Sequence, residues 1–202
     1  MVAGDSTTPD TKISEITFEE AIALTQTILN RLEQGLMSDS ELEEAIASLV
    51  ETENGARGFF VTYLSDPRPI AGQSTSPVLQ GLQAAPEIAA ELLVKNLAMS
   101  SAMAVTHRRN NDEKLAQGSD RVRSRTLGLI QNLHLSEITK QAQQLHESTL
   151  TGEGNYQGFL KRWGYDAEQR QVIQRAMEEI MADHQGLGNV GSDGAGSARE
   201  AE

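Results

Sequence analysis

The sequence predicts an all-α fold, a single helical bundle of six to eight helices with disordered N- and C-terminal tails. Three observations lead there. Apolar residues recur at three-to-four spacing through most of the chain, the mark of a half-buried helix face. Ser/Thr/Asp-x-x-Glu/Gln spacings precede several of those stretches, as capping boxes do. The one strand-like run, residues 58–64 (GFFVTYL), has no second run to pair with.

Taken in order, residues 1–15 are polar and read as a disordered tail, followed by a helical domain over 16–186 and a second tail over 187–202. Thr17 with Glu20 opens the first helix, with Ile16 as a staple against Ala21; Phe18, Ile22, Ile28, Leu29 and Leu32 form its stripe and Gly35 its stop. Ser40 with Glu43 opens a second on Leu42, Ala45, Ile46, Leu49 and Val50, and Asn54-Gly55 breaks it. Residues 58–64 then read as a short buried helix with Phe59, Phe60, Tyr63 and Leu64 in the core. Residues 65–77, with three of the five prolines, read as an exposed loop.

Pro86 sits at a first helical position with Glu87 beside it, and one long helix is expected from there to about Ala116. Gly118-Ser119 offers a break; whether the helix is continuous through Asn110-Asn111 stays open. Val122, Leu127, Leu129, Ile130 and Leu133 continue the apolar signal, and Ser136 caps a helix that Gly152 and Gly154 end. A short segment over 156–163 stops at Gly164. Asp166 with Gln169 opens the last helix, which runs to about His184. No repeat period emerges.

Composition removes whole classes of function. The 202 residues include no cysteine, which excludes disulfide scaffolds, thiolate metal sites and cysteine nucleophiles. A net charge of -12 repels polyanions, so nucleic acid would need a local basic patch. No apolar run of about 18 residues suggests a spanning helix, and residues 1–15 show no secretion signal, so a cytoplasmic location is expected.

Catalytic and metal motifs are missing too. His107, His134, His146 and His184 are preceded at three residues by Ala104, Gln131, Gln143 and Met181, so no Glu-x-x-His pair exists for a carboxylate-bridged metal. No Gly-x-Ser-x-Gly elbow, Ser-x-x-Lys pair, phosphate loop or dinucleotide fingerprint occurs. Glu43/Glu44 and Glu178/Glu179 are adjacent pairs that point about 100° apart on a helix and read as solvated faces. The reading is therefore a non-enzyme with no cofactor and no metal.

Charge is unevenly spread: residues 1–94 carry -11, residues 95–140 carry +4 and residues 141–202 carry -5. The basic segment holds Arg108, Arg109, Lys114, Arg121, Arg123 and Arg125. It serves either as a surface for an anionic partner or as internal charge complementarity against the acidic first half, and the second reading is preferred. No aromatic residue lies within 95–140, which argues against nucleic-acid stacking. A second candidate surface is residues 156–165, where Tyr156, Phe159, Trp163 and Tyr165 flank Lys161 and Arg162; it reads equally as interface or as core. Ala98, Met99, Ser101, Ala102 and Met103 form a small-residue stretch suited to close approach of a helix, from the same chain or a second copy, so homo-oligomerisation is an expectation.

Residues 52–67 (TENGARGFFVTYLSDP) and 86–110 (PEIAAELLVKNLAMSSAMAVTHRRN) resemble a family of conserved cyanobacterial helical proteins. The resemblance covers about half of the chain and carries no activity and no site residue. It implies a cytoplasmic protein of a photosynthetic prokaryote, with an indirect link to photosynthesis or its regulation. The leading expectation is an adaptor or regulator that binds another protein through residues 98–125, the aromatic cluster, or both. The alternatives are a small-molecule or pigment site near Met99, Met103 and Phe60, and a nucleic-acid-associated regulator using the arginines.

Overall fold

The computed structural model describes residues 16–188, with side chains to Asp183. The two tails expected at 1–15 and 187–202 lie outside the described residues, apart from the last two positions of the final helix. Among the described residues there are nine α-helices and no strand: α1 (Phe18–Glu33), α2 (Asp39–Val50), α3 (Glu53–Ser65), α4 (Ser76–Leu82), α5 (Pro86–Arg109), α6 (Glu113–Asn132), α7 (Ser136–Thr151), α8 (Gln157–Trp163) and α9 (Ala167–Gly188).

The all-α fold is as predicted, and the count exceeds six to eight by α4. That helix starts inside the stretch read as loop, where Pro77 falls in the first turn and Val78 and Leu82 are buried. The remainder of 65–77 is not simply exposed either, since Ala71 is buried and Ile70 packs on the core.

Local signals place most helix ends. Thr17 and Glu20 form the expected capping box on α1, and Gly35 turns the chain at φ +66°. The box on α2 is Ser38 with Glu41 rather than Ser40 with Glu43, and Arg31 meets Glu41 across the turn at 3.0 Å. Asn54-Gly55 does not break the chain: it lies in the first turn of α3, where the Gly55 N–H donates to the Thr52 hydroxyl at 3.1 Å. Ser136 is the first residue of α7, not its cap.

The long helix ends earlier than expected. α5 stops at Arg109, and Asn111 takes the left-handed conformation (φ +56°) that asparagine tolerates better than most residues. Asp112 then caps α6 by accepting from the Leu115 N–H at 3.0 Å. Gly118 lies inside α6 and breaks nothing.

α5 is the axis of the molecule. It packs against α6, α9, α7 and α3, while α1 packs on α3 and α2 on α4 and α3. Two glycines permit the closest approaches. A Cβ at Gly58 would sit 2.5 Å from the Ala21 Cβ and 2.9 Å from the Phe18 carbonyl, and one at Gly81 would sit 2.8 Å from the Ile46 Cβ. One continuous core results, including Leu29, Ile46, Phe59, Phe60, Tyr63, Leu93, Leu97, Leu129, Leu145 and Ile173.

Candidate functional site

The site grows out of α5. An 18-residue window of this helix has a mean hydropathy of 1.4, which makes it long and apolar enough by composition to cross a membrane, although no unbroken apolar run marked it in the sequence. In the structure 56% of that window is buried, as befits a central core helix. What is left uncovered is a seam: Leu92, Asn96, Met99, Met103 and His107 recur at steps of three or four and are all half-buried.

Two contiguous troughs run along that seam. The first, about 470 Å³, has Leu92, Lys95, Asn96 and Met99 as its floor, with Phe18 and the α3 residues Glu53, Arg57 and Val61 on one side and Phe159, Arg162 and Trp163 of α8 on the other. The second, about 330 Å³, continues from Asn96 and Met99 to Met103 and His107, walled by Leu115, Ser119, Arg121 and Val122 of α6. Val61, Leu115 and Trp163 border these troughs with 45%, 52% and 46% of their surfaces exposed, so half of the six exposed large hydrophobic side chains among the described residues gather here. Such gathering marks interaction surfaces more than scattered exposure does.

The rim is positive. Arg57 lies over the Phe18 ring at 5.4 Å from its centroid, and Lys95 pairs with Glu91 while lying 5.9 Å from the Tyr156 ring centre. Arg162 and Arg121 meet no carboxylate among the described residues. Glu53 is the one carboxylate among the described residues that lines either trough. A local cationic frame on a chain of net charge -12 is an electrostatic exception to its own surroundings.

Most of the basic segment is engaged elsewhere. Arg108 pairs with Asp120, Arg109 with Asp166 and Glu168, and Arg123 with Glu179 at 2.7 Å. Arg125 donates to the carbonyls of Leu64, Asp66 and Arg68 at 3.0, 2.6 and 2.9 Å, and burial pulls its pKa down. Charge complementarity is thus internal, but its carboxylates come from α6 and the α9 region instead of the acidic first half. Lys114 and Arg121 are left exposed without an ion pair among the described residues, and they do not form a patch with the rest.

The small-residue stretch is used within the chain. Ala98 and Ala102 are fully buried and Ser101 is buried with its hydroxyl donating to the Leu97 carbonyl at 2.7 Å. They are therefore not a free face for a second copy, whereas Met99 and Met103 remain half-exposed on the seam. The aromatic cluster divides in the same way. Tyr156 and Tyr165 are buried, the Tyr156 hydroxyl donating to Gln141 Oε1 at 2.8 Å and the Tyr165 hydroxyl finding no partner among the described residues. Phe159 is half-buried and Trp163 faces the first trough. Phe60, expected beside Met99 and Met103, is 1% exposed and lines neither trough.

Phe18, Arg57, Val61, Leu92, Lys95 and Leu115 border the site without having been singled out as site residues from the sequence, whereas Arg162 belongs to the candidate surface read at 156–165. The available signal was weak: Leu115 is an apolar residue in the polar first turn of α6, and Val61 falls on the side of α3 opposite its core residues.

Among the described residues no group of three or more metal-ligating side chains is found. A family model described as "Uncharacterised conserved protein UCP020893" matches residues 17–180. The chain belongs to that family. The match spans the helical region from the α1 cap into α9, so the α5 seam and both trough walls lie within it. No curated protein and no solved structure gives a significant match.

Proposed function

We propose that the chain is a non-enzymatic interaction protein, an adaptor or regulator, that binds another protein along the α5 seam. The observation that carries this reading is the concentration of Val61, Leu115 and Trp163 on two contiguous troughs framed by cations. Tryptophan and arginine at the edge of an apolar groove are the usual anchors of protein interfaces. The resemblance to cyanobacterial proteins supports a cytoplasmic, photosynthetic setting, and cyanobacterial extract is accordingly the source of partners.

The test is site-specific photocrosslinking. A photoreactive residue at position 61, 115 or 163 traps one common protein, and the same residue at positions 24, 36 and 150, which are similarly or more exposed, does not. Equal trapping at all six positions overturns the reading. A second reading, a small-molecule or pigment site, is supported by Met99 and Met103 on the second trough. It requires a coloured or mass-detectable ligand that copurifies and is lost on replacing those methionines.

A further inference from the structure

We infer that the occupant of the seam is an acidic amphipathic helix of a partner protein, an inference that rests on the interaction reading above. From Leu92 to His107 the seam spans 16 residues, about 22 Å at the rise of an α-helix, which matches about four turns of a docked helix. Along its floor Leu92, Met99 and Met103 share one face of α5, with Asn96 and His107 between and beyond them, and α3 and α8 flank the first trough while α6 walls the second; one amphipathic helix lays its apolar face along such a groove. The troughs are open along their length. A compact ligand would leave much of its own surface in water there, unlike in the enclosed pockets that small molecules select.

Charge selects the sign of the partner. Among the described residues Arg162 and Arg121 stand without carboxylates toward opposite ends of the seam, Arg57 lies on the Phe18 ring and meets no carboxylate, and Glu53 is the single acid in the lining. Carboxylates flanking the apolar stripe of the incoming helix would meet those three guanidiniums, and a basic helix would meet repulsion. The chain's own acidity keeps its other surfaces from competing for the same partner.

The chain contains one tryptophan, and Trp163 stands on the trough wall, so its emission reports occupancy directly. The experiment is a display selection of random tryptophan-free 16-residue peptides on the full-length protein, with binders to the Trp163→Glu/Leu115→Glu variant removed. The expected result is a set of peptides with net negative charge and apolar residues at steps of three and four. A representative peptide shifts Trp163 emission saturably, becomes helical by circular dichroism on binding, and loses about tenfold in affinity against Arg57→Glu/Arg162→Glu. Unchanged helicity and melting temperature of these surface variants show that folding is intact.

Selected peptides that are neutral, basic or extended overturn the inference, as does saturation of Trp163 by dodecanoate with no selected peptide. Concentration-dependent dimerisation that Trp163→Glu abolishes overturns it in favour of a second copy. Position-selective crosslinking at 61, 115 and 163 combined with non-acidic peptides refutes the acidic helix while leaving the interaction face standing. Absence of both refutes the two together.

Discussion

The Arg125 guanidinium, on α6, donates from Nη1 to the Asp66 backbone carbonyl at 2.6 Å, pinning the chain just after α3 to a helix 59 residues away in sequence. Two further carbonyls, of Leu64 and Arg68, share the same fork, and Asp66 itself holds Arg68 through its carboxylate at 2.8 Å. Gly72 (φ +72°) lies so close that a Cβ there would fall on the Arg125 side chain.

Replacing Arg125 with alanine leaves three partly buried carbonyls short of donors, and should destabilise the fold by about 2–3 kcal/mol. Arg125→Lys should recover less than half of that loss, because one ammonium on a flexible stem cannot serve three acceptors fixed around a planar fork. Urea unfolding of the three proteins checks the order. Gly72→Ala should weaken the same contact, so its effect and that of Arg125→Ala should be markedly less than additive.

A Cβ at Gly58 or Gly81 meets backbone as well as side chain on the facing helix, so neither neighbour yields cheaply. Gly58→Ala and Gly81→Ala should each cost about 1–3 kcal/mol by pushing apart α1 and α3, or α2 and α4. In contrast, Gly118→Ala, with nothing within 4 Å, should stabilise α6 by roughly 0.5–1 kcal/mol. Thermal melts that lower Tm at 118 and leave it unchanged at 58 would contradict this packing.

How much of this was legible depends on range. The box at Thr17 and the paired residues Asp166 and Gln169 are local chemistry, and they form as the spacing predicts. Ser38 and Ser40 each have glutamate three residues on, so the spacing alone does not choose between them; Arg31 of the preceding helix backs Glu41 and hence Ser38. Residues 58–64 are β-branched and aromatic yet helical, because Phe59, Phe60, Tyr63 and Leu64 all find burial against helices. The arginine cluster was visible as charge, but its carboxylates at the start of α9 and within it were not identifiable, since Arg109 and Asp166 are 57 residues apart. The seam was least legible: Val61 and Trp163 are brought to one trough by tertiary packing, which leaves no local spacing to read.

Acid should unfold the protein through its helix starts. Glu41 is held down to about 2 from an ordinary 4.5, first by the Ser38 backbone N–H, then by its hydroxyl and by Arg31. Asp166 is lowered from 3.8 to about 2, mainly by Arg109 and then by the Gln169 N–H. Both folded values lie below the unfolded ones, so the stabilisation is complete above about 4.5 and is lost as pH falls toward 2. The Tm should fall over that window. Glu41→Gln and Asp166→Asn should each flatten the fall, and a profile with unchanged slope in both variants would rule these groups out as its cause.

The aromatic cluster should separate cleanly into core and surface. Tyr156 is 3% exposed and its hydroxyl donates to Gln141 at 2.8 Å, so Tyr156→Phe leaves a partly buried amide oxygen without that donor and should cost about 1 kcal/mol. Tyr165 is buried with no partner for its hydroxyl among the described residues, so Tyr165→Phe removes an unsatisfied group and should leave stability unchanged or raise it. Trp163 is 46% exposed, and Trp163→Ser should change stability by less than about 1 kcal/mol while removing the anchor on the trough wall. Urea unfolding of the three variants reads the first half of this separation, and partner crosslinking from position 61 in the Trp163→Ser background reads the second. Loss of stability at Trp163 equal to that at Tyr156 would make the tryptophan a structural residue and remove it from the binding face.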